Sequence, residues 1–215
     1  MSTRAKLWLA PAIFYAIFVF WYTDFGGPLS DEEVDTWVEQ MEANQSAPEL
    51  IAYFEKFLRN DSGHQFLMVN VIDMNENPPH VEGAEPGESA DQLMARYMEH
   101  MIPALLKRAS HPALMGNAVY SVIDMVGIEG AENWDSGALF RYRSRRSFAE
   151  IISHPAIAAK HEFKTAALSK TIAYPIETRF YLGDPRLVLG LLILAITALL
   201  DTFVFSRKRT QEAAQ

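Results

Sequence analysis

Two apolar runs, one near each end, constrain this chain more than any motif in it. The first is Leu7 to Tyr22 (LWLAPAIFYAIFVFWY); the second is Leu187 to Phe205 (LVLGLLILAITALLDTFVF), in which Asp201 is the only charge. A hydrocarbon core of about 30 Å asks for roughly 20 apolar residues in a helix. The second run meets that length, and the first does so with Trp21 and Tyr22 at the interface. The residues between them are too polar to enter lipid. The expected organisation is a cytoplasmic tail and membrane helix (1–25), a helical hairpin (26–62), a folded domain (63–180), and a second membrane helix with a basic tail (181–215).

Charge gives an orientation. Arg4 and Lys6 precede the first run, and Arg207, Lys208 and Arg209 follow the second. Basic residues close to a span stay cytoplasmic, so both termini are expected in the cytoplasm of a bacterial-type inner membrane. The central domain then lies on the periplasmic side. From Thr23 to Pro185 there are 13 Lys and Arg against 25 Asp and Glu. That acidity argues against nucleic acid or anionic lipid as a partner. A cleaved signal peptide is the alternative for the first run, but WYTDFGGPLS after it lacks a small-x-small site. Asp201, about one turn from the boundary, is expected to be exposed at the interface. With no cysteine, the domain depends on its apolar core alone.

Gly26-Gly27-Pro28 breaks the first helix, and Ser30 with Glu33 forms a capping box. Val34, Trp37, Val38 and Met41 then recur at helical spacing, and Leu50, Phe54, Phe57 and Leu58 make a second stripe after a turn, with Ser46 as N-cap. This hairpin is expected between membrane and domain and shows no chemistry of its own. Beyond it, Phe66–Met74 (FLMVNVIDM) reads as a strand apolar on both faces, which needs a layer on each side. Ser89–Arg108 reads as a helix whose face is Met94, Tyr97, Met98, Met101 and Leu105. Strands are expected at Val119–Met125, Ala138–Ser144 and Thr171–Ile176, with helices at Ser147–Ile152 and Ala156–Leu168.

The order β-α-β-β-α-β is the split βαβ arrangement of ferredoxin-like folds, so the fold class is α+β. Two helices cover one sheet face and leave the other bare. Phe66 to Glu177 resembles the dimeric α/β-barrel superfamily, most nearly its small family of undefined function. In that family the third strand ends in an F-x-S-x-x-type turn, a place held here by Tyr142-Arg143-Ser144-Arg145-Arg146. A His- and Tyr-bearing helix and a final Pro-containing strand follow. The two spans and the hairpin depart from the family pattern. The resemblance implies a homodimer, or a pairing within a membrane-protein complex. Haem-degrading members of the superfamily carry Asn on the first strand, Trp near the third and His on the next helix. Asn70, Trp134 and His154 or His161 stand at those places, with a longer Trp-to-His spacing and Trp134 in a turn.

No G-x-S-x-G, H-E-x-x-H, P-loop or G-x-G-x-x-G is present, which removes several large enzyme classes. What remains is a set of polar residues among apolar neighbours. Asn70 lies mid-strand, Tyr97 and His100 share the long helix, and Tyr120, Arg141 and Tyr142 come from the central strands. Together they describe an aromatic-lined small-molecule site. His154, His161 and Lys164 share a helical face, but histidines seven apart stand about 10 Å apart along the axis, too far for one metal, so no metal is expected. No cofactor is expected either, with haem the alternative. The basic run Arg141–Arg146 reads as a clamp for an anion or as a salt-bridged surface. Two functions follow as expectations: a membrane-anchored accessory or scaffold subunit whose domain binds a partner protein or small hydrophobic ligand, and an oxidoreductase or monooxygenase acting on a quinone, lipid or haem.

Overall fold

Strand pairing organises the polar part of the chain. The computed structural model describes residues 1–206, so Arg207, Lys208 and Arg209 lie outside the described residues. Two units result: Asp24–Thr178, and Met1–Thr23 together with Arg179 onward.

In the first of these, β1 (Phe66–Met74) is central, and the sheet runs β2 (His111–Asn117), β3 (Ser136–Tyr142), β1, β4 (Leu168–Ile176). Every neighbouring pair is antiparallel. With α4 (Ala90–Lys107) between β1 and β2, and α5 (Arg145–Ile152), α6 (Pro155–Ala158) and α7 (His161–Ala167) between β3 and β4, this is the ferredoxin-like topology. Ser89 and Gln92 close a capping box at the start of α4, each side chain satisfying the other's backbone N–H. Phe66, Leu93, Tyr97, Met101, Leu105, Tyr142, Ile151 and Phe163 form the core between sheet and helices.

Two expectations need correcting. The second strand is His111–Asn117 rather than Val119–Met125. Pro112 and Gly116 hide it, yet it is an edge strand, where a missing N–H is tolerated, and its register shifts between Pro112 and Leu114. Asn117 already faces Ser136, the first residue of β3, so residues 118–135 run past the end of the sheet. Two backbone bonds, Ala118 N–H to Asp135 and Val122 N–H to Glu132, continue them briefly as a ribbon. The helix expected over Ala156–Leu168 is two short pieces, and Leu168 already belongs to β4.

Before the sheet come α2 (Asp31–Ala43) and α3 (Pro48–Arg59). Ser30 and Glu33 make the expected box, whereas α3 starts from Ala47 with Pro48 at its first position and no side-chain cap at Ser46. Arg59 of α3 bonds Asp31 and Asp35 of α2. Val34, Met41, Phe54 and Leu58 bury themselves against Ala149 of α5. Phe148 joins this cluster to the sheet, its ring 4.9 Å from Tyr142, 5.7 Å from Phe66, 5.8 Å from Phe57 and 6.0 Å from Phe54. Gly63, at φ +74°, passes so close to Gly27 and Pro28 that a Cβ would lie 2.8 Å from their backbone atoms.

In the other unit, α1 (Thr3–Tyr22) and α8 (Pro185–Asp201) are antiparallel, and a single π turn (Thr202–Ser206) extends α8. Both are long and apolar enough to cross a membrane. Arg4 donates Nε and Nη2 to the two Asp201 oxygens at 2.8 and 2.7 Å. Asp201 is therefore a paired, buried carboxylate instead of the exposed one expected. At the opposite end Tyr15 donates its hydroxyl to the Arg186 carbonyl at 2.9 Å. The bare Cα of Gly190 makes room, since a Cβ there would lie 3.0 Å from that hydroxyl.

Candidate functional site

Alternation along the strands sends one set of side chains toward the helices. From β1 these are Met68, Asn70, Ile72 and Met74; from β3 Ser136, Ala138, Phe140 and Tyr142; from β4 Thr171 and Ala173. Met94, Tyr97, Met98 and Met101, at helical spacing on α4, face them, joined by His161 and Lys164 of α7. These layers do not close on each other and leave a cavity of about 1060 Å³, at the upper end of the roughly 300–1,000 Å³ typical of small-molecule sites. Met41, Asn44, Ser46 and Leu50, from α2, α3 and the turn between them, form part of its wall. Seven methionines line it: Met41, Met68, Met74, Met94, Met98, Met101 and Met115. Methionine is unbranched and polarizable, so such walls adapt to a ligand's shape.

The polar groups in this wall fall into two kinds. Asn70 has its amide nitrogen occupied by the Met68 carbonyl at 3.0 Å and the Ala138 carbonyl at 3.4 Å, which offsets the cost of an amide mid-strand. Asp135 accepts the Met74 N–H at 2.6 Å, and Thr171 donates to the Val71 carbonyl at 2.8 Å. The hydroxyls of Tyr97 and Tyr142 and the Lys164 ammonium, by contrast, have no hydrogen-bond partner among the described residues. Burial pushes the Tyr97 phenol up to about 12 and raises Tyr142, the latter also through Tyr97. Burial lowers the Lys164 amine below its ordinary value, because desolvation disfavours the charged form. His161, on the rim, is lowered by burial and then by Lys164, and its ring meets Tyr97 edge-on at 6.4 Å. The Lys164 ammonium lies 5.8 Å from the centre of the Tyr97 ring.

Of the residues singled out from sequence, Asn70, Tyr97, Tyr142, His161 and Lys164 meet in this cavity. The others do not line it. Arg141 neighbours Tyr142 on β3 and therefore points to the opposite sheet face, where it is fully buried and donates to Gln65 Oε1 at 2.6 Å and to the Ala109 carbonyl. Tyr120 stands 82% exposed in the 118–135 loop, away from any strand. His100 Nδ1 lies 3.2 Å from the Arg96 carbonyl on its own helix. Trp134 donates its indole N–H to the Ala131 carbonyl at 2.8 Å, and His154 caps α6 by accepting the Ala156 N–H at 3.2 Å. Among the described residues no group of three or more His, Asp or Glu is placed to hold a metal.

The basic run is drawn into ion pairs. Arg145 bonds the Phe57 carbonyl, sits 3.5 Å from Asp61 and 3.2 Å from Glu177, and stacks over the Phe57 ring at 4.5 Å. Arg146 bonds Glu33 at 2.7 Å and lies 3.5 Å from Asp24. Arg143 reaches Ser147 Oγ at 3.3 Å. Sequence reasoning missed the hairpin's share of the cavity. The one signal for it was Met41 at the end of the α2 stripe, followed by the polar Asn44 and Ser46.

No family model matches the chain, and no curated protein does. Solved structures do. A protein of unknown function from Rhodopseudomonas palustris is 19% identical, with a TM-score of 0.49 over 63% of this chain and 95% of its own. The same protein in methylated form gives 0.51 over 62% and 93%, again at 19% identity. A protein of unknown function from Bacteroides fragilis, described as dimeric and ferredoxin-like, is 12% identical over 53% of this chain and 96% of its own, with a TM-score of 0.32. The likeness is one of fold.

Proposed function

We propose that this chain is a membrane-anchored accessory subunit whose Asp24–Thr178 unit holds a small hydrophobic molecule in the methionine-lined cavity. The observation that carries the reading is the cavity itself: a large apolar space with a few polar groups converging on it, in a chain that also carries two helices long and apolar enough to cross a bilayer. The basic residues flanking the two apolar runs, Arg4 and Lys6 before the first and Arg207, Lys208 and Arg209 after the second, support an extracytoplasmic placement for that unit.

The unit also pairs with a second copy. The sheet face opposite the cavity presents Val69, Val71 and Leu139 with the exposed Leu114, Ile172 and Tyr174. Beside β2, the loop adds Val119, Ile123 and Val126, all nearly bare. Contiguous apolar surface of this kind marks an interaction site.

Asn70 and His161 in one cavity favour a second reading, an oxidoreductase or monooxygenase acting on a quinone, lipid or haem. Purification of the full chain in mild detergent, followed by absorption spectroscopy and mass spectrometry of extracted small molecules, separates the two. The first reading expects a stoichiometric lipophilic molecule without visible absorption, its amount reduced in a Met94→Trp variant that narrows the cavity. A haem or quinone spectrum would favour the second. A protein that carries nothing and takes up no hydrophobic probe would refute both.

A further inference from the structure

The cavity is chemically lopsided. At one place in its wall stand the phenols of Tyr97 and Tyr142, the ammonium of Lys164 and the imidazole of His161. The two phenols and the ammonium donate to nothing among the described residues. Tyr142 is 6% exposed and lines the cavity. Lys164 faces the electron-rich side of a tyrosine rather than a carboxylate. The two acids in the wall do not neutralise it. Asp135 is engaged by the Met74 amide, and Asp91, in the first turn of α4, makes no ion pair with it. A half-buried cation with no carboxylate beside it favours an anion as neighbour, and three donors open to the cavity can each take an acceptor. The remaining wall is largely methionine and aliphatic carbon, which calls for a chain.

We infer that the ligand is a single-chain amphiphile with a carboxylate head, such as a long-chain fatty acid, its head against Lys164, Tyr97 and Tyr142 and its tail among the methionines. A carboxylate offers two oxygens to these donors and supplies the missing charge, in the manner of charge-assisted hydrogen bonds. His161, with its pKa held down, is neutral at pH 7 and serves as the outer edge of the head site. This rests on the cavity being the ligand site.

The test uses the full chain in mild detergent, with native mass spectrometry titrations of oleate and oleyl alcohol as probes. Oleate should bind at least tenfold tighter than oleyl alcohol. Lys164→Gln should lower oleate affinity at least tenfold while leaving oleyl alcohol within twofold. Tyr142→Phe, which preserves the core ring, should lower oleate affinity several-fold. Met94→Trp, which narrows the cavity, should weaken binding of both alike. Equal binding of acid and alcohol, or equal effects of Lys164→Gln on both, with Met94→Trp still weakening them, would overturn the carboxylate head and leave the cavity as the site. Binding of neither probe, or binding of both unaffected by Met94→Trp, would overturn the cavity reading and this inference with it.

Discussion

Phe148 fastens the hairpin to the sheet beside a direct contact of Phe57 with Phe66 at 5.4 Å, so its removal should loosen two layers that otherwise melt together. Its ring touches two rings on α3 and two on the central strands, all within 6.0 Å. A buried Phe→Ala change costs about 3–5 kcal/mol. Phe148 is only half-buried, which points to the lower end, yet each edge-on ring pair adds about 0.5–1.5 kcal/mol beyond area. Phe148→Ala should therefore cost about 3–4 kcal/mol, and Phe148→Leu, which keeps most of the apolar volume but none of the ring geometry, about half of that. Urea unfolding of the full chain in detergent, followed by far-ultraviolet circular dichroism, gives the magnitude. Hydrogen exchange gives the location: amides of α2 and α3 should lose protection in Phe148→Ala while those of α4 keep theirs. A cost under about 1 kcal/mol, or uniform loss across α2–α4, would refute the claim that this ring helps to join the layers.

Gly63→Ala should destabilise by about 1–3 kcal/mol, through positive φ and contact with the Gly27–Pro28 backbone. Gly87→Ala, at φ +81° with open space around it, should cost only about 1 kcal/mol, so equal melting temperatures for the two would refute the contact. Glu33 is held at about 2 by Arg146 and the Ser30 amide. The unfolded chain takes up that proton near 4.5, so the contribution of Glu33 is complete above pH 4.5 and fades as pH falls toward 2. Glu33→Gln should flatten that part of the stability profile, and an unchanged slope would contradict the pairing. Val69→Asp, on the bare sheet face, should halve the mass measured by light scattering yet leave the fold intact; a dimer that survives it does not use this face. Arg4→Ala should weaken disulfide trapping between cysteines placed on facing turns of α1 and α8, and Arg4→Asp with Asp201→Arg should restore it.

Where sequence and structure agree, local pattern and tertiary environment point the same way. Phe66–Met74 was legible to its bounds because strand formers fill it and both faces are apolar, and α4 because a capping box starts a clean helical stripe. Asn70, Tyr97 and Tyr142 stood out in the sequence as polar groups among apolar neighbours, and all three line the cavity. The second strand was not. His111–Asn117 carries a proline and a glycine and is a strand through its register with β3, whereas the stronger strand formers from Val119 onward run past the end of β3 and meet only residues 132–135 of their own loop. Arg141 and Tyr142 illustrate a finer limit. Adjacent strand residues face opposite ways, so grouping them in one site could not be right for both. The hairpin's place in the cavity wall depends on Phe148 meeting Phe54 and Phe57, a contact between residues about 90 positions apart that no local pattern encodes.

A wall built of methionine has a chemical vulnerability as well as a shape. The chain has nine methionines and no cysteine, and seven of the nine line one space. An oxidant reaching the protein therefore finds thioether sulfur, with no thiol to intercept it. Each sulfoxide formed turns a soft apolar contact into a polar, chiral one. A few such events would convert an oily interior into one that favours water, emptying it without breaking a bond in the backbone. Occupancy should shield those sulfurs, so the rate at which peroxide marks Met68, Met94 and Met98, set against Met1 outside the cavity, reports whether the space is filled. The lining is its own gauge of what it holds.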